Sequence, residues 1–61
     1  MYRFTLEYNG TVYSLHSSGI DKAIDKAMEI FYGADMENIS SDQFHSFLSG
    51  VKLTSVKEVS K

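Results

Sequence analysis

Residues 2–16, YRFTLEYNGTVYSLH, contain the clearest local pattern of the sequence. Large apolar or aromatic side chains alternate with polar ones before the Asn-Gly pair, which is the period of a half-buried β-strand, and a second β-favouring run follows it. Asn9 and Gly10 suit a two-residue type I′ turn, because both central positions of that turn need positive φ. The stretch therefore predicts an antiparallel β-hairpin.

The two-residue loop also predicts the register of the hairpin, with Tyr8 opposite Thr11 and Leu6 opposite Tyr13. Directly paired residues point to the same face of a sheet. A slip of one residue would turn the large side chains of the second strand to the wrong face. One face is predicted to be core, and it carries Tyr2, Phe4, Leu6, Tyr8, Tyr13 and Leu15. The other face carries Arg3, Thr5, Glu7, Val12, Ser14 and His16.

Two helices are predicted after the hairpin. The first covers about 19–32, with Ser18 as N-cap and Gly33 as the left-handed residue after its end. The second covers about 41–49, where Ser40 and Gln43 spell a capping box. Residues 34–38 connect the two and have room for a single helical turn. Apolar residues at helical spacing give the first helix one predicted core stripe of Ile20, Ala23, Ile24, Ala27, Ile30 and Phe31.

The C-terminal stretch VKLTSVKEV, residues 51–59, predicts a third strand. Val51 and Leu53 alternate, whereas Val56 falls out of phase, and a β-bulge near Thr54 and Ser55 would restore one face. The alternative is a strand that ends early and leaves residues 56–61 as a loose tail. The chain is thus predicted to be a single α+β domain over residues 1–61, in the order β-β-α-α-β. We expect a three-stranded sheet of order 2-1-3, with both helices packed on one face.

Composition narrows the possible classes of protein. The chain of 61 residues contains no cysteine, which excludes disulfides and thiolate zinc sites. Its content of aromatic residues and its small net charge of −2 are not those of a disordered chain. No apolar run is long enough to cross a bilayer, and the N-terminal residues lack the pattern of a signal peptide. We therefore expect a cytoplasmic protein that makes no membrane contact.

The sequence contains no pattern of catalytic, cofactor-binding or metal-ligating residues. Asp42 and the nearby His45 would share one helix face, but a metal site needs more ligands than these two. The serines lie at predicted caps and turns, where local hydrogen bonds account for them. The glycines are isolated and form no phosphate-binding loop. The prediction is a protein that is not an enzyme and that holds neither a cofactor nor a metal.

Binding to another protein is the function class that the sequence favours. Residues 21–50 carry six acids and two lysines, a balance that suits a basic surface on a partner, although a merely solvated surface explains it too. Tyrosine and methionine are favoured at interfaces, and Tyr32 and Met36 lie off the predicted core stripe. The free edges of the sheet are a second candidate surface. The candidate partner-binding residues are Glu29, Tyr32, Asp35, Met36, Glu37 and Asp42.

A cysteine-free acidic domain of this size is typical of small regulators and inhibitors, including phage proteins that act on host factors. Two alternatives stay open. One is a nucleic-acid-binding domain that uses Lys52, Lys57 and Lys61, which the acidic composition disfavours. The other is a homodimer whose interface completes a small core, because domains near 60 residues bury little apolar surface alone.

Overall fold

The computed structural model describes residues 1–59, and it has the predicted order β-β-α-α-β. The strands are β1 (Tyr2–Tyr8), β2 (Thr11–Ser17) and β3 (Lys52–Glu58). The helices are α1 (Ile20–Tyr32) and α2 (Ser41–Gly50), with a short 3₁₀ turn at Met36–Asn38 between them. The sheet has the order β2-β1-β3, and both outer strands run antiparallel to β1. The predicted α+β class and sheet order are confirmed.

The hairpin has the predicted register, with Leu6 opposite Tyr13 and Tyr8 opposite Thr11. Asn9 has φ 54° and Gly10 has φ 82°, as a type I′ turn requires. The two-residue turn fixes which residues of β1 and β2 lie opposite each other. With that register, the alternation of apolar and polar residues determines which face of the hairpin is buried.

Strand β3 pairs with β1 through the predicted bulge. Ser55 lies opposite Thr5 and Leu53 lies opposite Leu6, so Thr54 is the extra residue. The hydroxyl of Thr54 donates to the carbonyl oxygen of Thr5 at 3.0 Å. The alternative prediction of a loose tail from residue 56 is wrong for residues 56–58, because they pair with β1. Residues 60 and 61 of that tail lie outside the described residues.

The start of α1 corrects one prediction, because its N-cap is Gly19 and not Ser18. The buried hydroxyl of Ser17 accepts from the Gly19 N–H at 3.3 Å and donates to the Gly19 carbonyl at 2.9 Å. Ser17 ends β2 opposite Tyr2, on the helix side of the sheet, and therefore lies beneath the helix start. At the other end, Gly33 adopts the predicted left-handed conformation with φ 66°.

Both helices pack on the face of the sheet that carries Phe4 and Leu6. Ile30 was predicted in the stripe of α1 and is instead exposed, whereas Met28 is completely buried. Ile30 and Met28 lie at opposite margins of the apolar stripe, and the packing of α1 buries the margin that carries Met28. The core consists of Phe4, Leu6, Tyr13, Ala23, Ala27, Met28 and Phe47.

Helix α2 meets the sheet at the far end of β1. The ring of Phe47 lies 4.2 Å from the ring of Tyr8, measured between centroids. A Cβ atom placed on Gly50 would lie 2.8 Å from Cε1 of the same tyrosine, so the helix end fits closely against that ring. The predicted capping box is present, because the Ser40 hydroxyl accepts from the Gln43 N–H and the Gln43 side chain accepts from the Ser40 N–H. The contacts with Tyr8 hold α2 against the end of β1.

Candidate functional site

A groove of about 340 Å³ lies between α1 and α2. Helix α1 forms one wall, α2 forms the other, and the 3₁₀ turn between the helices closes one side. We call this surface the interhelical groove, and it is lined by Asp21, Ile24, Asp25, Met36, Phe44 and Leu48.

Each wall of the groove follows from helical spacing. Asp21 and Asp25 lie one turn apart on α1 and therefore share a side of that helix, next to Ile24. Phe44 and Leu48 have the same spacing on α2. Phe44 is half-buried, whereas Leu48 is exposed although it belongs to the apolar face of a short helix. The groove is thus an apolar cleft that stays open to solvent.

The charged residues that line the groove are acidic. Two carboxylates line it, and no lysine or arginine does so among residues 1–59. The lysines of α1, Lys22 and Lys26, are exposed and lie outside the groove lining. An apolar cleft bordered only by carboxylates is suited to an apolar group that carries a cation close by.

The structure brings one of the six predicted partner-binding residues, Met36, into the groove. Two others hold the groove in shape. Glu29 accepts the Met36 N–H at 3.2 Å and so ties the 3₁₀ turn to α1. The Tyr32 hydroxyl donates to the Gln43 carbonyl at 3.1 Å and ties α1 to α2. These two side chains position the walls of the groove without lining it.

Tyr32 lies within an aromatic cluster that joins the helices to the sheet. Its ring packs edge-on against Phe31 at 4.9 Å and lies 6.3 Å from the ring of Phe47. Burial, together with the neighbouring phenol of Tyr8, raises the pKa of Tyr32 above its ordinary value. The phenol is therefore a hydrogen-bond donor throughout the neutral range, as its bond to α2 requires.

The other three predicted residues, Asp35, Glu37 and Asp42, are exposed and do not line the groove. Asp35 precedes the 3₁₀ turn as its N-cap residue, and Asp42 lies in the first turn of α2. The residues that the sequence prediction missed are Asp21, Ile24, Asp25, Phe44 and Leu48. Their signal was the one-turn spacing on each helix, but only the packing of α2 beside α1 makes the two walls face each other.

The two histidines belong to other surfaces. Nε2 of His16 accepts from Nε of Arg3 at 3.3 Å on the face of the sheet away from the helices. The His45 ring packs edge-on against Phe44, with 5.7 Å between centroids. Within residues 1–59, no three His, Asp or Glu side chains lie close enough together to hold a metal ion.

Comparison with protein-family models, curated proteins and solved structures finds no match to this chain. Of the helices in the part of the chain that the structure describes, none combines the length and apolar character needed to cross a membrane. The interhelical groove is therefore interpreted from its own geometry and chemistry.

Proposed function

We propose that this chain is a non-enzymatic protein-binding module, a small regulator or inhibitor, that docks its partner in the interhelical groove. The partner would insert a large apolar side chain and place a lysine or arginine next to it. The observation that carries the proposal is an open apolar cleft whose charged lining residues, within residues 1–59, are Asp21 and Asp25. The absence of cysteine supports action in a reducing compartment such as the cytoplasm.

The size of the groove supports a side-chain anchor. Its volume of about 340 Å³ lies at the lower end of the range of binding clefts, which suits one or two side chains. Burying a leucine or phenylalanine there would contribute roughly 1.5–3 kcal/mol. Met36 supports the same role, because a methionine side chain is flexible and adapts to the shape of an incoming group.

The carboxylates would contribute selectivity more than affinity. An exposed ion pair is worth only about 0.2–1 kcal/mol, so Asp21 and Asp25 alone would not hold a partner. Charge complementarity instead accelerates the encounter and disfavours acidic competitors. The apolar anchor and the basic neighbour are therefore both required for the proposed recognition.

A capture experiment with matched variants tests the proposal. The chain is immobilised and proteins retained from a lysate of its source cells are compared with those retained by Asp21→Asn/Asp25→Asn. The control is Glu37→Gln/Asp42→Asn, which removes the same two charges from exposed residues outside the groove. We expect a partner that the wild-type chain and the control retain and the groove variant loses.

The same experiment decides between the groove and the exposed acids of residues 35–42. Loss of the partner from the control and not from the groove variant would refute the groove as the docking site. Circular dichroism of all three chains establishes that each is folded before capture. A Leu48→Ala variant tests the apolar wall and is expected to weaken retention without changing the net charge.

A further inference from the structure

Strand β3 has an apolar face that the helices leave open. Leu53 lies opposite Leu6 and Val56 lies opposite Phe4, so all four point to the helix side of the sheet. Leu6 and Phe4 are 1% and 5% exposed, whereas Leu53 and Val56 are 50% and 47% exposed. Apolar side chains are therefore buried on β1 and exposed on the neighbouring strand β3. The reason is that α1 packs on β1 and β2, and α2 meets the sheet at the end of β1.

The same strand is an edge of the sheet. Within residues 1–59, β1 pairs with one side of β3 and no strand pairs with the other side. An edge strand presents backbone donors and acceptors to which an extended segment of another chain can add. Every second side chain of an added strand would lie on the helix side of the sheet, next to Leu53 and Val56.

The face of β3 away from the helices, here called the outer face, is basic. Lys57 lies opposite Arg3, and on the next strand His16 lies opposite Arg3, so this row contains no acid. Like charges directly opposite each other are destabilising. At the other end of the strand, Lys52 lies opposite Glu7. The outer face of β3 and its neighbour β1 therefore favours acidic groups on any strand added beside them.

A second copy of this chain does not satisfy these requirements. The antiparallel register that places Leu53 opposite Val56 of the second copy also places Lys52 opposite Lys57, and the symmetry repeats that repulsion at the other end. A shift of one residue would turn the apolar side chains to the wrong face. The charges of β3 thus disfavour pairing with itself.

We propose that the free edge of β3 binds an extended segment of another protein with the pattern acid, apolar, any residue, apolar, acid. The two apolar side chains would cover Leu53 and Val56 on the helix side. The two acids would lie on the outer face beside Lys52 and Lys57. Leu53 and Val56 lie opposite Leu6 and Phe4, which are two residues apart in β1, because the bulge at Thr54 takes up one extra residue of β3. A regular strand with apolar side chains two residues apart therefore matches their spacing.

This surface is distinct from the interhelical groove, and the ligand has the opposite charge. The outer face also favours a peptide over a nucleic acid, because among residues 1–59 it carries no Phe, Tyr or Trp on which bases would stack. A nucleic acid would use the lysines and leave Leu53 and Val56 uncovered.

The test is titration of the ¹⁵N-labelled chain at low salt with a capped peptide Glu-Val-Thr-Val-Glu and with the matched peptide Lys-Val-Thr-Val-Lys. We expect the amide signals of Lys52–Glu58 to shift, with the acidic peptide binding about tenfold more tightly. A peptide with the acidic sequence and methylated backbone nitrogens should not bind, because it cannot donate ladder hydrogen bonds. A single-stranded oligonucleotide should leave the Leu53 and Val56 signals in place.

Charge-swapped variants complete the test. Lys52→Glu/Lys57→Glu should reverse the preference and bind the basic peptide more tightly. The control Lys22→Glu/Lys26→Glu makes the same change in net charge on α1 and should keep the preference for the acidic peptide. The proposal is overturned if millimolar acidic peptide shifts no β3 signal, if the charge-swapped variant keeps the wild-type preference, or if the oligonucleotide displaces the peptide.

Discussion

Phe47 joins α2 to the rest of the molecule, and its replacement by alanine is the sharpest test of the packing. The side chain is completely buried, and its ring lies 4.2 Å from Tyr8 and 6.0 Å from Phe31. Removing a buried phenylalanine costs roughly 3–5 kcal/mol. A domain of this length has a total free energy of unfolding of about 3–9 kcal/mol. We therefore expect Phe47→Ala to lose a large share of its free energy of unfolding.

Urea denaturation followed by circular dichroism measures this loss. Phe47→Leu provides an intermediate point, because it keeps most of the volume and removes the aromatic contacts, which are worth about 0.5–1.5 kcal/mol. Leu48→Ala is the control on the same helix, and its exposed side chain should cost less than about 1 kcal/mol. A loss below about 1 kcal/mol in Phe47→Ala, or an equal loss in Leu48→Ala, would refute the described packing of α2.

Two further outcomes follow from the helix contacts. Burial raises the pKa of Tyr32, so the folded chain holds that proton to higher pH than the unfolded chain, and stability should fall as pH rises above about 10. The urea midpoint should fall less over this range in Tyr32→Phe than in the wild type, and an equal fall would contradict the assignment. Ser40→Ala removes the capping box and should cost about 1 kcal/mol, whereas the neighbouring Ser41→Ala should change stability by less than about 0.5 kcal/mol.

The elements that the sequence predicts well are those specified by contacts between near neighbours in the chain. The type I′ turn depends on Asn9 and Gly10, and the pairing of Leu6 with Tyr13 follows from the length of that turn. The capping box of α2 needs only Ser40 and Gln43, three residues apart. These features have the same geometry in almost any surrounding structure, which is why local patterns identify them.

Two predictions failed, and they failed for different physical reasons. Periodicity alone placed Ile30 in the core of α1, but the tertiary packing of the helix buries Met28 and leaves Ile30 exposed. Local preference placed the N-cap at Ser18, but the buried Ser17 hydroxyl already bonds to Gly19 at the point where β2 passes into the helix. Tertiary packing decided the first case. A local hydrogen bond decided the second, because serine and glycine differ by only a few tenths of a kcal/mol as N-cap residues.

The sequence predicted some properties of the two candidate surfaces and missed others. The acidic middle of the chain was visible in the sequence, but charge counting could not separate Asp21 and Asp25, which line the groove, from Glu37 and Asp42, which do not. The bulge of β3 was predicted from the phase of Val56, whereas the exposure of its apolar face was not.

Short-range geometry and alternation specify the hairpin and its register, the N-cap of α2 and the order of the elements, so these features could be predicted from the sequence. The packing of the helices, in contrast, forms the groove with two carboxylates between α1 and α2 and leaves the apolar face of β3 uncovered. Both surfaces depend on the position of α2, a helix of ten residues. Contacts of Phe47 in α2 with Tyr8 in β1 and Tyr32 in α1 fix that position.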